Sequence, residues 1–274
     1  MPSYLPESRD IRVAQQPGGV NSKAIEAIDQ LLLILPKRIP KALWRRLPQG
    51  SKLQALSRKS PPDATPAFQT RLSNKRQTLV VAGRIDGGAE AFEQLTFARK
   101  LVAAATTGKA GSLGILIQGF DAGAQQSLCN AVVAAALAAG FNLPEFKKDA
   151  TPAKIRSIRV LGLDDKVDLD RTVAEAGGNN LARWLTALPP NKLDARNYAR
   201  ILKELADAHG WQYKRYSTSQ LEKLGAGAFL AVAQGNDDDS ASIVRLRYRP
   251  AAKTAGPALS LVGKGIIFDT GGTN

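Results

Sequence analysis

The sequence predicts an α/β protein in which a mostly parallel α/β domain comes first and a second α/β region follows. Two observations carry this. Short apolar runs rich in β-branched residues alternate with segments of helical period from Gln77 onward. Hydrophobic residues make up 44% and charged residues 23%, the balance of an ordinary globular chain rather than a disordered one. A length of 274 residues leaves room for two domains.

Thr78 to Ala82 reads as a buried strand ended by Gly83, and Ala89 to Ala105 as a helix with Phe92, Leu95, Phe97 and Leu101 as its apolar positions. Leu113 to Gln118 is a second strand. Ala122 to Ala139 is an alanine-rich helix, and Ser157 to Leu163 a third strand. The charged stretch Asp164 to Arg171 separates this unit from the rest, so the domains are taken as 1–165 and 166–274. In the second, Gly177 and Gly178 precede a helix over Asn180 to Leu188 that Pro189 and Pro190 stop. Asp194 caps a helix running to about Ala208. A strand at Trp211 to Tyr216, a short helix at Ser219 to Leu224, and strands at Phe229–Ala233, Ile243–Tyr248 and Leu259–Val262 complete the order.

Charge is uneven along the chain. Eleven of the basic residues and one acid, Asp63, fall between Leu31 and Arg76, so residues 31–76 hold +10 of a net +14. Prolines 36, 40, 48, 61, 62 and 66 exclude a single long basic helix there. The favoured expectation is a solvated, partly mobile loop region, with Trp44 as an anchor to the core. A nucleic-acid or polyanion patch is the competing one. One cysteine, Cys129, excludes an internal disulfide framework. It reads as a small buried apolar residue, and the single histidine, His209, as a helix C-terminal residue beside Gly210. One His and one Cys exclude a His/Cys metal cluster, leaving carboxylates or less usual donors. The start lacks a secretory signal and no apolar run reaches the roughly 20 residues of a membrane span, so a cytoplasmic location is expected. Asp237–Asp239 reads as a solvated turn. Arg245, Arg247 and Arg249 alternate on one strand and share a solvent or subunit-interface face.

The densest chemistry is Leu261 to Gly272, LVGKGIIFDTGG. Lys264 and Asp269 flank the apolar residues Ile266–Phe268. Burial against such a wall favours a neutral amine, which can ligate a divalent metal beside a carboxylate. A surface lysine and a turn aspartate remain the alternative on spacing alone. Asp269-Thr270-Gly271 matches the triplet of aspartic proteases, but no second triplet supplies the paired carboxylate. Gly263-Lys264-Gly265 and Gly108-Lys109-Ala110-Gly111-Ser112 lack the pattern of a phosphate-binding P-loop.

The same segment closely resembles the LVGKG-x-x-FD-[ST]-GG motif of the leucyl aminopeptidase family (peptidase family M17, the cytosol aminopeptidases). Asn180 to Asn191, Gly225 to Asn236 and Ile243 to Tyr248 also resemble stretches of that family. The resemblance implies the first part of an α/β metallopeptidase catalytic domain. It also implies release of N-terminal residues from peptides by two divalent ions, manganese or zinc, and assembly into a homo-oligomer, a hexamer in the family. Lys264 would bind one metal through its amine and Asp269 would bind through its carboxylate. Gly271 and Gly272 would form the close turn beside them. The family's catalytic lysine and arginine, with its later acidic ligands, correspond to positions beyond Asn274. The resemblance therefore implies no catalytic residue within these 274 residues and a fragment inactive as written. The competing function is a nucleic-acid-binding, regulatory or assembly module using residues 31–76.

Overall fold

A computed structural model describes residues 4–6, 11–20, 22–107, 111–146, 155–235, 240–250 and 256–265. The chain forms two compact units, Glu7–Ala182 and Arg183–Asn274, the latter joined by Met1–Pro6.

The first unit contains, in order, β1 (Arg12–Gln16), α1 (Ser22–Glu26), β2 (Gln30–Pro36), α2 (Lys41–Arg46), α3 (Gly50–Lys59), β3 (Phe68–Arg71), β4 (Leu79–Ile85), α4 (Ala91–Ala105), β5 (Ser112–Ile117), α5 (Ala122–Gly140) and β6 (Ser157–Leu161). Its sheet has the order β1-β6-β5-β2-β4-β3, with only β3 antiparallel. Strand β2 sits inside the sheet and its five residues Leu31–Leu35 are all buried, as a strand covered on both faces requires. Leu32 and Ile34 face a core with Phe97, Leu101, Leu128 and Val132 of α4 and α5. Leu31, Leu33 and Leu35 face the opposite core, built with Ile25, Ile28, Leu43, Trp44 and Leu53.

Residues 31–76 are therefore not a loop region. They make two strands and two helices, and the prolines mark boundaries: Pro36 ends β2 and Pro40 is the N-cap of α2. The apolar run ahead of the first basic residue is what seats the segment. Trp44, 5% exposed, is the core anchor expected of it. Strand β4 does not stop at Gly83 but runs to Ile85. A Cβ at Gly83 would lie 2.6 Å from the Phe97 ring, so this glycine serves close helix-on-sheet packing rather than a turn. On α4, Phe97 and Leu101 are buried as expected, whereas Phe92 is 83% exposed. Asp121 caps α5, accepting from Ala124 N at 2.9 Å. Cys129 is fully buried on α5, and burial pushes its thiol up to about 12.

Helix α6 (Asp170–Thr186) leaves the first unit. It starts ten residues before Asn180 and passes straight through Gly177 and Gly178, where the sequence suggested a break. The preceding charged stretch is anchored rather than free: Gln15 bonds both backbone groups of Val167, and Gln126 those of Asp168.

The second unit continues with α7 (Ala195–His209), β7 (Gln212–Ser217), α8 (Thr218–Lys223), α9 (Gly227–Ala233) and β8 (Ser242–Arg247). Asp194 caps α7 by accepting from Asn197 N at 2.6 Å, and Gly210 ends it at φ 67°. Ser217 and Gln220 form a reciprocal capping box on α8. Strands β7 and β8 pair antiparallel. Two expectations fail here. Phe229–Ala233 is helical, with Leu230 N bonded to Ala226 O at 3.1 Å, because a short apolar run fits either period. Leu259–Val262 forms no regular element: Leu259 is 84% and Val262 100% exposed, and it pairs with no strand among the described residues.

Candidate metal-ligand segment

The segment carrying Lys264 follows β8 in the second unit. Its described part, residues 256–265, is irregular and exposed throughout, Lys264 included. It ends alongside α7: a Cβ built on Gly265 would lie 3.6 Å from Cε1 of Tyr198, an ordinary contact distance. Tyr198 is held in the first turn of α7, its N–H donating to the carbonyl of the capping Asp194 at 2.8 Å. Asp269, Gly271 and Gly272 lie outside the described residues, as does the Ile266–Phe268 wall on which a neutral Lys264 amine depends. The Asp237–Asp239 tripeptide and Gly108–Ala110 lie outside them too.

An amine and a carboxylate suit a borderline divalent ion as donors, but they fill only two coordination positions. Among the described residues no three His, Cys, Asp or Glu side chains cluster as a metal site. The residues present are thus a partial donor set.

Other singled-out residues fall elsewhere. His209 ends α7 and stacks on Trp211 with ring centroids 4.8 Å apart. Arg245 and Arg247 share the exposed side of β8, Arg245 opposite Lys214 and Arg247 opposite Gln212, while Arg249 lies past the strand. On the other side, Tyr213 donates to Ala199 O of α7 at 3.1 Å, and burial raises its hydroxyl pKa against the opposing pull of Arg215 and Lys203. Arg12, Arg156 and Arg159 belong to no motif of the sequence. Only strand pairing brings them together, so no spacing in the sequence announces them.

Residues 180–274 match the model of the cytosol aminopeptidase family, catalytic domain. A probable cytosol aminopeptidase of Synechococcus sp. (strain CC9605) is 33% identical over 210 residues, 75% of this chain and 42% of that protein. One from Sulfurihydrogenibium sp. (strain YO3AOP1) is 38% identical over 112 residues, covering 41% and 21%. Among solved structures, a tomato leucine aminopeptidase mutant matches at TM-score 0.74 and 17% identity, over 92% of this chain and 54% of that one. The bottromycin maturation enzyme BotP in complex with Mn matches at 0.58 and 22% identity, over 82% and 46%. These structural likenesses confirm the α/β fold. The chain belongs to the cytosol aminopeptidase family and spans about two fifths of the length of the Synechococcus relative, which matches its greater part. No helix among the described residues is long and apolar enough to cross a membrane.

Proposed function

We propose that residues 180–274 carry the opening part of an aminopeptidase catalytic domain that releases N-terminal residues from peptides in the cytoplasm. The observation that carries this reading is the family match over those residues, which contains the whole LVGKGIIFDTGG segment. Lys264 and Asp269 are the metal ligands of this reading, with Gly271 and Gly272 shaping the turn beside them. The bound pair of divalent ions, manganese or zinc, supplies polarisation of the scissile carbonyl and an activated water. The chain's own part is to present the Lys264 amine on the segment whose Gly265 lies beside Tyr198.

Two donors do not hold a dinuclear centre, so these 274 residues alone are inactive. A leucyl amide assay with added manganese on this chain tests that part, and clear turnover overturns it. The ligand assignment is tested separately, in a chain joined to the remainder of a family catalytic domain. There Asp269→Asn is expected to lower manganese affinity by more than the roughly 10- to 100-fold that outer-sphere losses cost. Unchanged affinity removes Asp269 from the site. Assembly into a homo-oligomer belongs to the same reading, and sedimentation of a well-behaved monomer by the joined chain argues against it.

A further inference from the structure

We infer that Arg12, Arg156 and Arg159 form a binding site for a diphosphate group on the edge of the first unit's sheet. Among the described residues β1 is an edge strand, paired only with β6. The parallel register sets Arg12 beside Ser157 and Ala14 beside Arg159. Paired residues of a parallel ladder point to the same face, as do alternate residues of one strand, so Arg12, Ala14, Ser157 and Arg159 share a face. Arg156 is tied to the start of this pair, its N–H donating to Gly111 O at 2.8 Å and its carbonyl accepting from Arg12 N at 3.3 Å. With Ile158 these residues line a recess of about 310 Å³.

Charge makes the recess a site. Among the described residues three arginines line it and no acid does. None of the three side chains has a hydrogen bond or ion pair among the described residues. Several other arginines of this chain have partners: Arg76 meets Asp29 at 2.7 Å, Arg171 meets Glu175 at 2.7 Å, and Arg84 donates to the carbonyls of Ser57, Ser60 and Pro61. Arg12 and Arg159 on one face, with Arg156 at the start of β6 beside them, repel one another where no described acid offsets them, and a bound anion relieves that repulsion. Guanidinium forks pair with phosphate oxygens through two parallel N–H bonds, which a spherical anion cannot match. A diphosphate carries about three negative charges near neutral pH, on the usual charge of a phosphate group, and so balances the three arginines. Ala14 and Ser157 in the lining add a small side chain and a hydroxyl, one further donor.

A competing account is that these charges only blunt an exposed edge against pairing with other chains. The two accounts separate in one experiment on the full 274-residue chain, independently of any aminopeptidase activity. Inorganic pyrophosphate, ADP and sulfate are titrated at constant ionic strength by calorimetry, with Arg12→Gln/Arg159→Gln as the test variant and Arg171→Gln as the control. Expected are saturable binding of pyrophosphate, binding of sulfate at least tenfold weaker, a loss of at least tenfold in the double variant, and no change in the control. Equal affinity for ADP and pyrophosphate assigns the site to the free diphosphate, and tighter ADP assigns it to a nucleotide. Absent saturation, equal binding by the double variant, or self-association of that variant with no pyrophosphate bound by the wild type overturns the site. Hydrogen exchange on the wild type guards against a variant that fails to fold: pyrophosphate should slow the β1 and β6 amides at least threefold, and unchanged exchange overturns the proposal.

Discussion

The two units use the same kinds of element with opposite degrees of closure. In the first, both faces of a six-stranded sheet are covered, and strand β2 exposes almost nothing. In the second, a two-stranded sheet rests on α7 through Tyr213, while Ile243, Leu246 and all of 256–265 remain exposed. The difference teaches which signals suffice for structure. Helices α7 and α8 carry local signals in their own residues, the caps at Asp194, Gly210 and Ser217, which satisfy end groups of the helix whatever lies around it. Extended chain such as Leu259–Val262 has no internal hydrogen bonds and becomes a strand only where a neighbour pairs with it.

The sharpest way to break this comparison is to cut equal side chains in the two units. Leu101 on α4 is fully buried between helix and sheet, whereas Leu261 is 87% exposed. Leu101→Ala is expected to cost about 2–5 kcal/mol, the range for a buried leucine. Leu261→Ala should stay within about 0.5 kcal/mol, as exposed substitutions do. Urea midpoints of the two variants measure both, and a comparable loss from Leu261→Ala would show that the exposed segment is packed in solution.

A second test probes closure at its tightest point. At Gly83 a Cβ would meet the Phe97 ring at 2.6 Å and Leu101 Cδ1 at 2.9 Å. Gly83→Ala therefore has to push α4 off the sheet, at about 1–3 kcal/mol for overpacking of this kind. Thermal melting reads the loss. A neutral result would mean that the ring swings aside and that the helix–sheet contact is softer than its spacing implies.

The legibility of the sequence follows the same division. The strands from β4 to β6 and the helices α4, α5, α7 and α8 could be read because burial or capping stamps a period or a cap on the residues themselves. Strand β1, Arg-Val-Ala-Gln-Gln, carries almost no apolar signal because one of its sides is an edge. Strand β2 was legible in principle, but the basic residues after it drew the whole stretch into one charged segment. Gly177 and Gly178 read as punctuation, yet α6 carries them on an exposed face with nothing within 4 Å. Of the candidate site, the motif stood out in the sequence because it sets a lysine and an aspartate among closely spaced glycines. The described structure reaches only Lys264 and Gly265 of it. The arginines of the β1 edge were invisible because pairing, not spacing, unites them.

Asp29 tests how the closed unit ties its strands at the amino ends. Its carboxylate accepts from Ser112 Oγ at 2.8 Å, Ser112 N at 2.9 Å and Arg76 at 2.7 Å. Burial by itself raises its pKa, but the Ser112 bonds and the Arg76 charge outweigh that and leave it below the ordinary 3.8. A carboxyl with a depressed folded-state pKa stabilises above its unfolded value and loses that contribution as pH falls through the folded one. Asp29→Asn should therefore be destabilised relative to the wild type at pH 7, with the gap closing as pH drops below about 3.8 on the ordinary carboxylate scale. Urea midpoints at pH 7 and pH 3 measure it. A gap that is the same at both values would mean that the side chain acts by shape and neutral hydrogen bonds alone.

The smallest effect is expected where the first unit hands over to the second. Gly178 lies inside α6 with open space around its Cα, so an added methyl meets nothing. Glycine in a helix interior gives up more backbone freedom than alanine, so Gly178→Ala should stabilise by about 0.5–1 kcal/mol. Hydrogen exchange along α6 localises the gain, which should concentrate in the amides from Gly177 to Ala182. A gain spread over the β-sheet amides as well would mean that α6 unfolds only with the closed unit. A gain confined to the helix would mean that α6 opens by itself, and that the boundary at Ala182 is a boundary of stability as well as of packing.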